Sequence, residues 1–140
     1  MIIPSVLVIT VGPLGFRARL ESEKAPRTCK AVLGALPFES KLVQARWSGE
    51  AAWVPLGERD FGVEHENSNT YPGAGELLLY PGGLSETEIL FPYGATSFGS
   101  RVGPLAGNHF ATIEEGRDLL PEAGRLVMWE GAQDFRIEVG

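Results

Sequence analysis

The chain carries few of the residue types that do chemistry at neutral pH: two histidines and one cysteine among 140 residues. Arg46 draws attention first, because Trp47 and Trp53 lie close to it in sequence. A guanidinium set among aromatic rings can grip a carboxylate while the rings exclude water. The same arginine alternates with Gln44 and Ser48, which describes an exposed charge on the outward face of a strand just as well. A second group lies between residues 93 and 109. Ser97, Ser100 and Arg101 there offer hydroxyls and a positive charge to a small anion, with Tyr93 and Phe98 as apolar walls. Asn108 and His109 add directional hydrogen bonds. An ordinary surface loop is the plainer reading of that stretch.

Other chemistries find less support. His65 beside Glu66 and His109 beside Asn108 lack the tight carboxylate spacing of a metal site, so structural histidines, no metal and no cofactor are expected. The glycines at 94, 99, 103 and 107 precede a strand pattern and lack the Gly-Lys-Ser/Thr ending of a phosphate-binding loop. Ser48, Ser85 and Ser97 lack the Gly-x-Ser-x-Gly setting that exposes a nucleophile. Cys29 has no partner for an internal disulfide, and its neighbours Ala31, Val32 and Leu33 point to packing.

The elements that must position these residues are mostly strands. Eighteen glycines and ten prolines spread along the chain imply short elements and tight turns, and 44% hydrophobic content is enough for one core, so a single domain over residues 1–140 is expected. Val6 to Val11 and Phe16 to Leu20 flank Gly12-Pro13 as an opening hairpin. Pro26 opens a helix of about ten residues. Lys41 to Trp47 and Glu50 to Val54 form a second hairpin. Glu76 to Tyr80, Glu88 to Phe91 and Asn108 to Ile113 read as strands, Glu114 to Leu120 as a short helix, and Leu126 to Trp129 with Phe135 to Val139 as a closing hairpin. Residues 55–75 and 92–107 lose periodicity, as functional loops do. Trp47, Leu78, Ile89, Phe110, Val127 and Ile137 should be buried, and Trp129 and Phe135 should close the core. About eight strands and two short helices suit a closed, mainly β barrel.

Twelve basic against eighteen acidic residues give a net charge of −6 with no basic cluster, which argues against nucleic acid. The apolar run from Met1 to Val11 contains Pro4 and has no basic flank, so neither a signal peptide nor a membrane span is expected, and a cytoplasmic location follows. Homo-oligomerisation stays open, with Val6 to Val11 as a possible apolar edge.

The order of elements, with Ala25-Pro26-Arg27-Thr28 opening the first helix and Ala106-Gly107-Asn108-His109-Phe110 leading through Ile113-Glu114-Glu115-Gly116, resembles that of cyclophilins. A nearer likeness is to short bacterial cyclophilin-like proteins of unknown function, carried by Leu36-Pro37, Ala45-Arg46-Trp47-Ser48-Gly49-Glu50, Glu66-Asn67, Tyr71-Pro72, Glu88-Ile89-Leu90, Tyr93-Gly94 and Gly107-Asn108-His109-Phe110-Ala111. The resemblance implies a closed cyclophilin-like barrel and a catalytic arginine near Arg46. It also implies a glutamine-bearing strand where this chain has Ala51-Ala52-Trp53-Val54, and a histidine near Gly103 that is missing. Efficient prolyl isomerisation is therefore not expected, and the catalytic residues stay unassigned. The expected function is a module binding a small anionic molecule or peptide through Arg46, Trp53, Tyr93, Phe98, Arg101, Asn108 and His109. The alternative is an enzyme, either a weak prolyl isomerase or one acting on a small carboxylate or amide.

Overall fold

The computed structural model describes residues 3–140, so Met1 and Ile2 of the N-terminal apolar run lie outside the described residues. Strands β1 (Val6–Val11) and β2 (Leu14–Leu20) form the opening hairpin, followed by helix α1 (Pro26–Gly34) with proline in its first turn. Next come β3 (Phe38–Gln44), β4 (Gly49–Pro55), the short β5 (Ser68–Asn69), β6 (Glu76–Tyr80) and β7 (Glu88–Thr96). A two-residue hairpin of β8 (Gly99–Ser100) and β9 (Gly103–Pro104) leads to β10 (Gly107–Glu115), α2 (Leu120–Arg125) and β11 (Gln133–Val139).

Eight of these strands pair antiparallel in the order β2-β1-β11-β3-β4-β7-β6-β10, and β10 pairs back onto β2. The ring is a closed barrel. Closure removes every free edge from these strands. β1 in particular is paired on both sides, which corrects the expectation of an apolar edge at Val6 to Val11.

Side chains alternate across the wall, as the two-residue period of a strand demands. Leu7, Ile9 and Val11 of β1, Phe16 and Ala18 of β2, Ala52 and Val54 of β4, Leu77 and Leu79 of β6, and Ile89 and Phe91 of β7 fill the interior. Phe91 stands at its centre, edge-on to Phe16 (5.7 Å between ring centroids) and Phe135 (6.4 Å). The opposite parity of β4, β6 and β7 is also buried. Ala51, Leu78, Tyr80 and Leu90 form a second apolar cluster with Phe98 and Leu105, outside the barrel wall and beneath the 97–105 segment. Runs such as Leu77-Leu78-Leu79 are apolar throughout because both faces are covered.

Five of the six residues expected in the core are buried: Leu78, Ile89, Phe110, Val127 and Ile137. Trp47 is not. It is 55% exposed, because β3 ends at Gln44 and residues 45–48 form the connection to β4. The helix expected from Glu114 begins later, since Glu114 and Glu115 end β10 and Gly116, at φ 91°, turns the chain before α2. Leu126 to Glu130 continues α2 as a helical turn where a strand was expected. Leu120, Ala123, Leu126 and Val127 are buried at helical spacing, and Trp129 rotates out to 77% exposure. β11 therefore pairs with β1 and β3, and of the last two aromatics only Phe135 enters the core. β7 runs on to Thr96, four residues further into the segment expected to be irregular than Pro92.

Replacing the central ring tests this packing. Phe91→Ala should cost about 3–5 kcal/mol, read as a lower urea midpoint with the slope of the transition unchanged.

Candidate functional site

Outside the barrel wall, a cavity of about 260 Å³ opens between three loops. Arg46, Trp47 and Ser48 come from the β3–β4 connection, Ser85 and Glu86 from the approach to β7, and Ser100 and Arg101 from the β8–β9 hairpin. Trp53 of β4 and Glu88 of β7 line it from the wall, on the outward parity of their strands.

Ser48 joins two of these loops. Its buried hydroxyl accepts a hydrogen bond from the Gly99 amide (3.1 Å) and donates to the Gly99 carbonyl (3.3 Å), while the Ser97 amide donates to the Ser48 carbonyl (3.0 Å). At the hairpin, the Ser100 hydroxyl donates to the Gly103 carbonyl and accepts from the Val102 amide. Gly49 sits at φ 89°, where a Cβ would lie 2.9 Å from the Ala95 carbonyl oxygen, so the chain can pass this close only as glycine. These contacts fix the backbone that presents Arg46 and Arg101.

Both arginines are exposed, and the Arg46 guanidinium lies 5.4 Å from the centre of the Trp47 ring. Ion pairs among the described residues engage Arg17, Arg19, Lys41, Arg125 and Arg136, and leave Arg46 and Arg101 free. The mouth of the cavity thus carries two guanidinium groups, beside the exposed Glu86 carboxylate, in a chain that is acidic as a whole.

The wall of the cavity holds an acid. Glu88 is only 6% exposed and, among the described residues, its carboxyl has no hydrogen-bond partner, yet no buried side-chain oxygen is wholly shut away without one. Its oxygens therefore keep a little contact with solvent, and the residue lines the cavity. Burial, reinforced by the nearby Glu86 charge, pushes its carboxyl up to about 8, and neither arginine offsets this. Sequence reasoning passed over Glu88. The available signal was an acid at the head of Glu88-Ile89-Leu90-Phe91, a strand whose apolar run already implied cover on both faces.

Of the residues expected to form a site, the structure brings Arg46, Trp53 and Arg101 to this cavity and separates the other four. Tyr93 has the inward parity of β7. It packs against Gly124 of α2 and donates its hydroxyl to Gln44 Oε1 (2.7 Å), and burial raises its phenol. Phe98 is fully buried beneath the cavity, edge-on to Tyr80 at 5.9 Å. Asn108 is also fully buried, where it donates to Thr28 Oγ1 and the Glu64 carbonyl and accepts from the Glu66 amide. It ties the 64–69 loop to α1. His109 Nε2 lies 2.8 Å from Thr112 Oγ1, whose hydroxyl donates to Glu21 on the β2 side of β10. His65 stacks edge-on to Tyr80 and meets the Ser68 hydroxyl. Cys29 is buried, donates to the Phe110 carbonyl, and has its thiol pushed up to about 11 chiefly by burial, which leaves it inert.

Residues 7–139 match the profile of a family described as a protein of unknown function (DUF3830). No curated protein matches the chain. Solved structures share its fold, McbB and AF2241 among them. The structure of McbB in complex with tryptophan superposes with a TM-score of 0.72 at 20% identity, over 95% of this chain. The chain spans 44% of McbB's length. The hypothetical protein AF2241 from Archaeoglobus fulgidus superposes with a TM-score of 0.62 at 20% identity, over 98% of this chain and 95% of its own.

The buried acid gives stability a definite pH dependence. Below about pH 4.5 folded and unfolded chains both hold the Glu88 proton; between there and about pH 8 only the folded chain does. The contribution of this group is therefore fully present in acid and is lost as pH rises through the folded value, by at most about 1.4 kcal/mol per unit. Glu88→Gln should melt higher than wild type by a margin that grows from pH 5 to pH 8 and then levels off, as thermal melts across that range would record.

Proposed function

Because the chain belongs to the DUF3830 family of proteins of unknown function, kinship brings no activity with it, and we propose from the site that the protein binds a small carboxylate-bearing molecule on the outer face of a cyclophilin-like barrel. One observation carries the reading: Arg46 and Arg101, unpaired among the described residues and drawn from two different loops, line one cavity with Trp53. Two guanidinium groups at an aromatic-walled mouth fit a planar anion, through bidentate hydrogen bonds that a lysine cannot match. A cavity of about 260 Å³ sits just below the usual range for ligand sites of roughly 300–1,000 Å³. The guest is therefore the size of an amino acid or a small aromatic acid. McbB, a protein of this fold, has been solved with tryptophan, a molecule of that size and chemistry.

Efficient prolyl isomerisation is not part of the proposal. Trp53 lines the cavity from the strand where the cyclophilin resemblance implies a glutamine, and the Glu88 carboxyl lines the same cavity, whereas a proline ring needs apolar walls.

A thermal-shift screen of small aromatic and aliphatic carboxylates, followed by calorimetry, tests the reading. Each charged contact contributes roughly 1.5–3 kcal/mol, so Arg46→Ala and Arg101→Ala should each weaken binding by about ten- to a hundredfold. Both side chains are exposed, so the melting temperature without ligand should hardly change. Equal binding by wild type and both variants would rule the site out.

A further inference from the structure

The cavity holds two kinds of charge at two depths. Arg46 and Arg101 stand at the exposed rim, whereas Glu88 is more than nine-tenths buried in the wall, without a hydrogen-bond partner among the described residues. A purely anionic guest would use the rim and leave the acid unanswered. Resting on the reading of the cavity as a carboxylate site, we infer that Glu88 is a ligand-binding residue that receives a protonated amine, so that the guest is a zwitterion of the α-amino-acid class.

The surroundings of Glu88 argue for this. The titratable groups around it are Glu86, from the same approach to β7, and Tyr80, opposite it on β6, while the two rim arginines line the same cavity without pairing with it. The Tyr80 hydroxyl accepts from the Leu84 amide (3.0 Å) and, among the described residues, makes no hydrogen bond to Glu88. Glu86 is exposed and adds negative potential. Among the described residues no ion pair engages Glu88, so a cation from outside is what the position lacks. The apolar walls that raise the cost of ionising Glu88 in the free protein also strengthen its attraction for an ammonium once water is expelled.

The proton balance follows. At neutral pH the free protein holds Glu88 as the acid, and a guest ammonium enters with its own proton. The Glu88 O–H bond breaks on binding, its proton goes to the buffer, and the carboxylate left behind pairs with the ammonium. No electrons move and no covalent bond forms between protein and guest. Affinity for an amino acid should then rise by up to tenfold per pH unit from pH 6 to pH 8 and flatten above. Affinity for a carboxylate without the amine should fall slightly over the same range, as Glu88 gains charge.

Calorimetry with matched pairs separates the possibilities: phenylalanine, tyrosine, leucine and tryptophan, each beside the acid that lacks only the amino group. In wild type at pH 8, at least one amino acid should bind tenfold or more tighter than its partner. At pH 6.5 it should release close to one proton, measured by repeating the titration in buffers of different ionisation enthalpy. Glu88→Gln should bind both members of the pair alike, without proton release, while Arg46→Ala weakens both. If the deaminated acids bind and respond to Arg46→Ala but the amine confers no advantage and no proton is released, the role of Glu88 is wrong and the carboxylate site stands. If no member of any pair binds, both fall. The proton count is taken on the wild-type protein and does not depend on how the variant folds.

Discussion

Pairing of β10 with β2 turns a twisted sheet into a ring, and the rest of the molecule follows from that closure. Once the ring is shut, each strand has an inside and an outside, and a residue's parity decides its fate. Odd residues of β7 enter the core, where Phe91 meets Phe16 and Phe135, and Tyr93 meets Gly124 at the α2 end. Even residues face out, and two of them, Glu88 and Leu90, become the wall on which the site is built. Tyr93 and Arg46 thus lie on opposite sides of one wall, although both neighbour the same strands.

The site depends on a second, smaller core. A closed barrel needs only one apolar face per strand, yet β4, β6 and β7 carry two, and the 97–105 segment folds down to cover the outer one. Phe98 and Leu105 anchor that segment, and Ser48 ties it to the β3–β4 connection. Together they hold Arg101 beside Arg46. Glu88 is carried into this apolar setting by the register of β7, at an energetic cost that its strand would avoid with leucine. Such costs are concentrated where a protein handles a ligand or a proton.

Where sequence reading went astray, local pattern met long-range geometry. Glu114-Glu115-Gly116 looks like a helix start, but β10 runs through both glutamates: Glu114 is the bulged residue, and beyond it Glu115 completes the pairing opposite Arg17. Leu126 to Trp129 has a strand's composition, yet Leu126 and Val127 repeat the spacing of Leu120 and Ala123 and so extend a helix. A window of four residues cannot distinguish the two periods. Trp47 failed for a different reason. Its strand stopped at Gln44, and a ring expected in the core became the rim of a cavity.

The sequence by itself determined the barrel, the opening hairpin, α1 and the strands at residues 76–80 and 88–91, because each is written in a local period of polar and apolar residues or in a proline and glycine at a turn. It also marked Arg46, Trp53 and Arg101 as worth attention, since an arginine among aromatics has a chemistry wherever it lies. Only the tertiary structure decided that these three share a cavity while Tyr93, Phe98, Asn108 and His109 are occupied elsewhere, and that Glu88 belongs with the three. Which side of a closed wall a residue faces, and which loop is folded over it, depends on strand register and long-range pairing. Those are properties of contacts between residues far apart in the chain, and no local pattern encodes them.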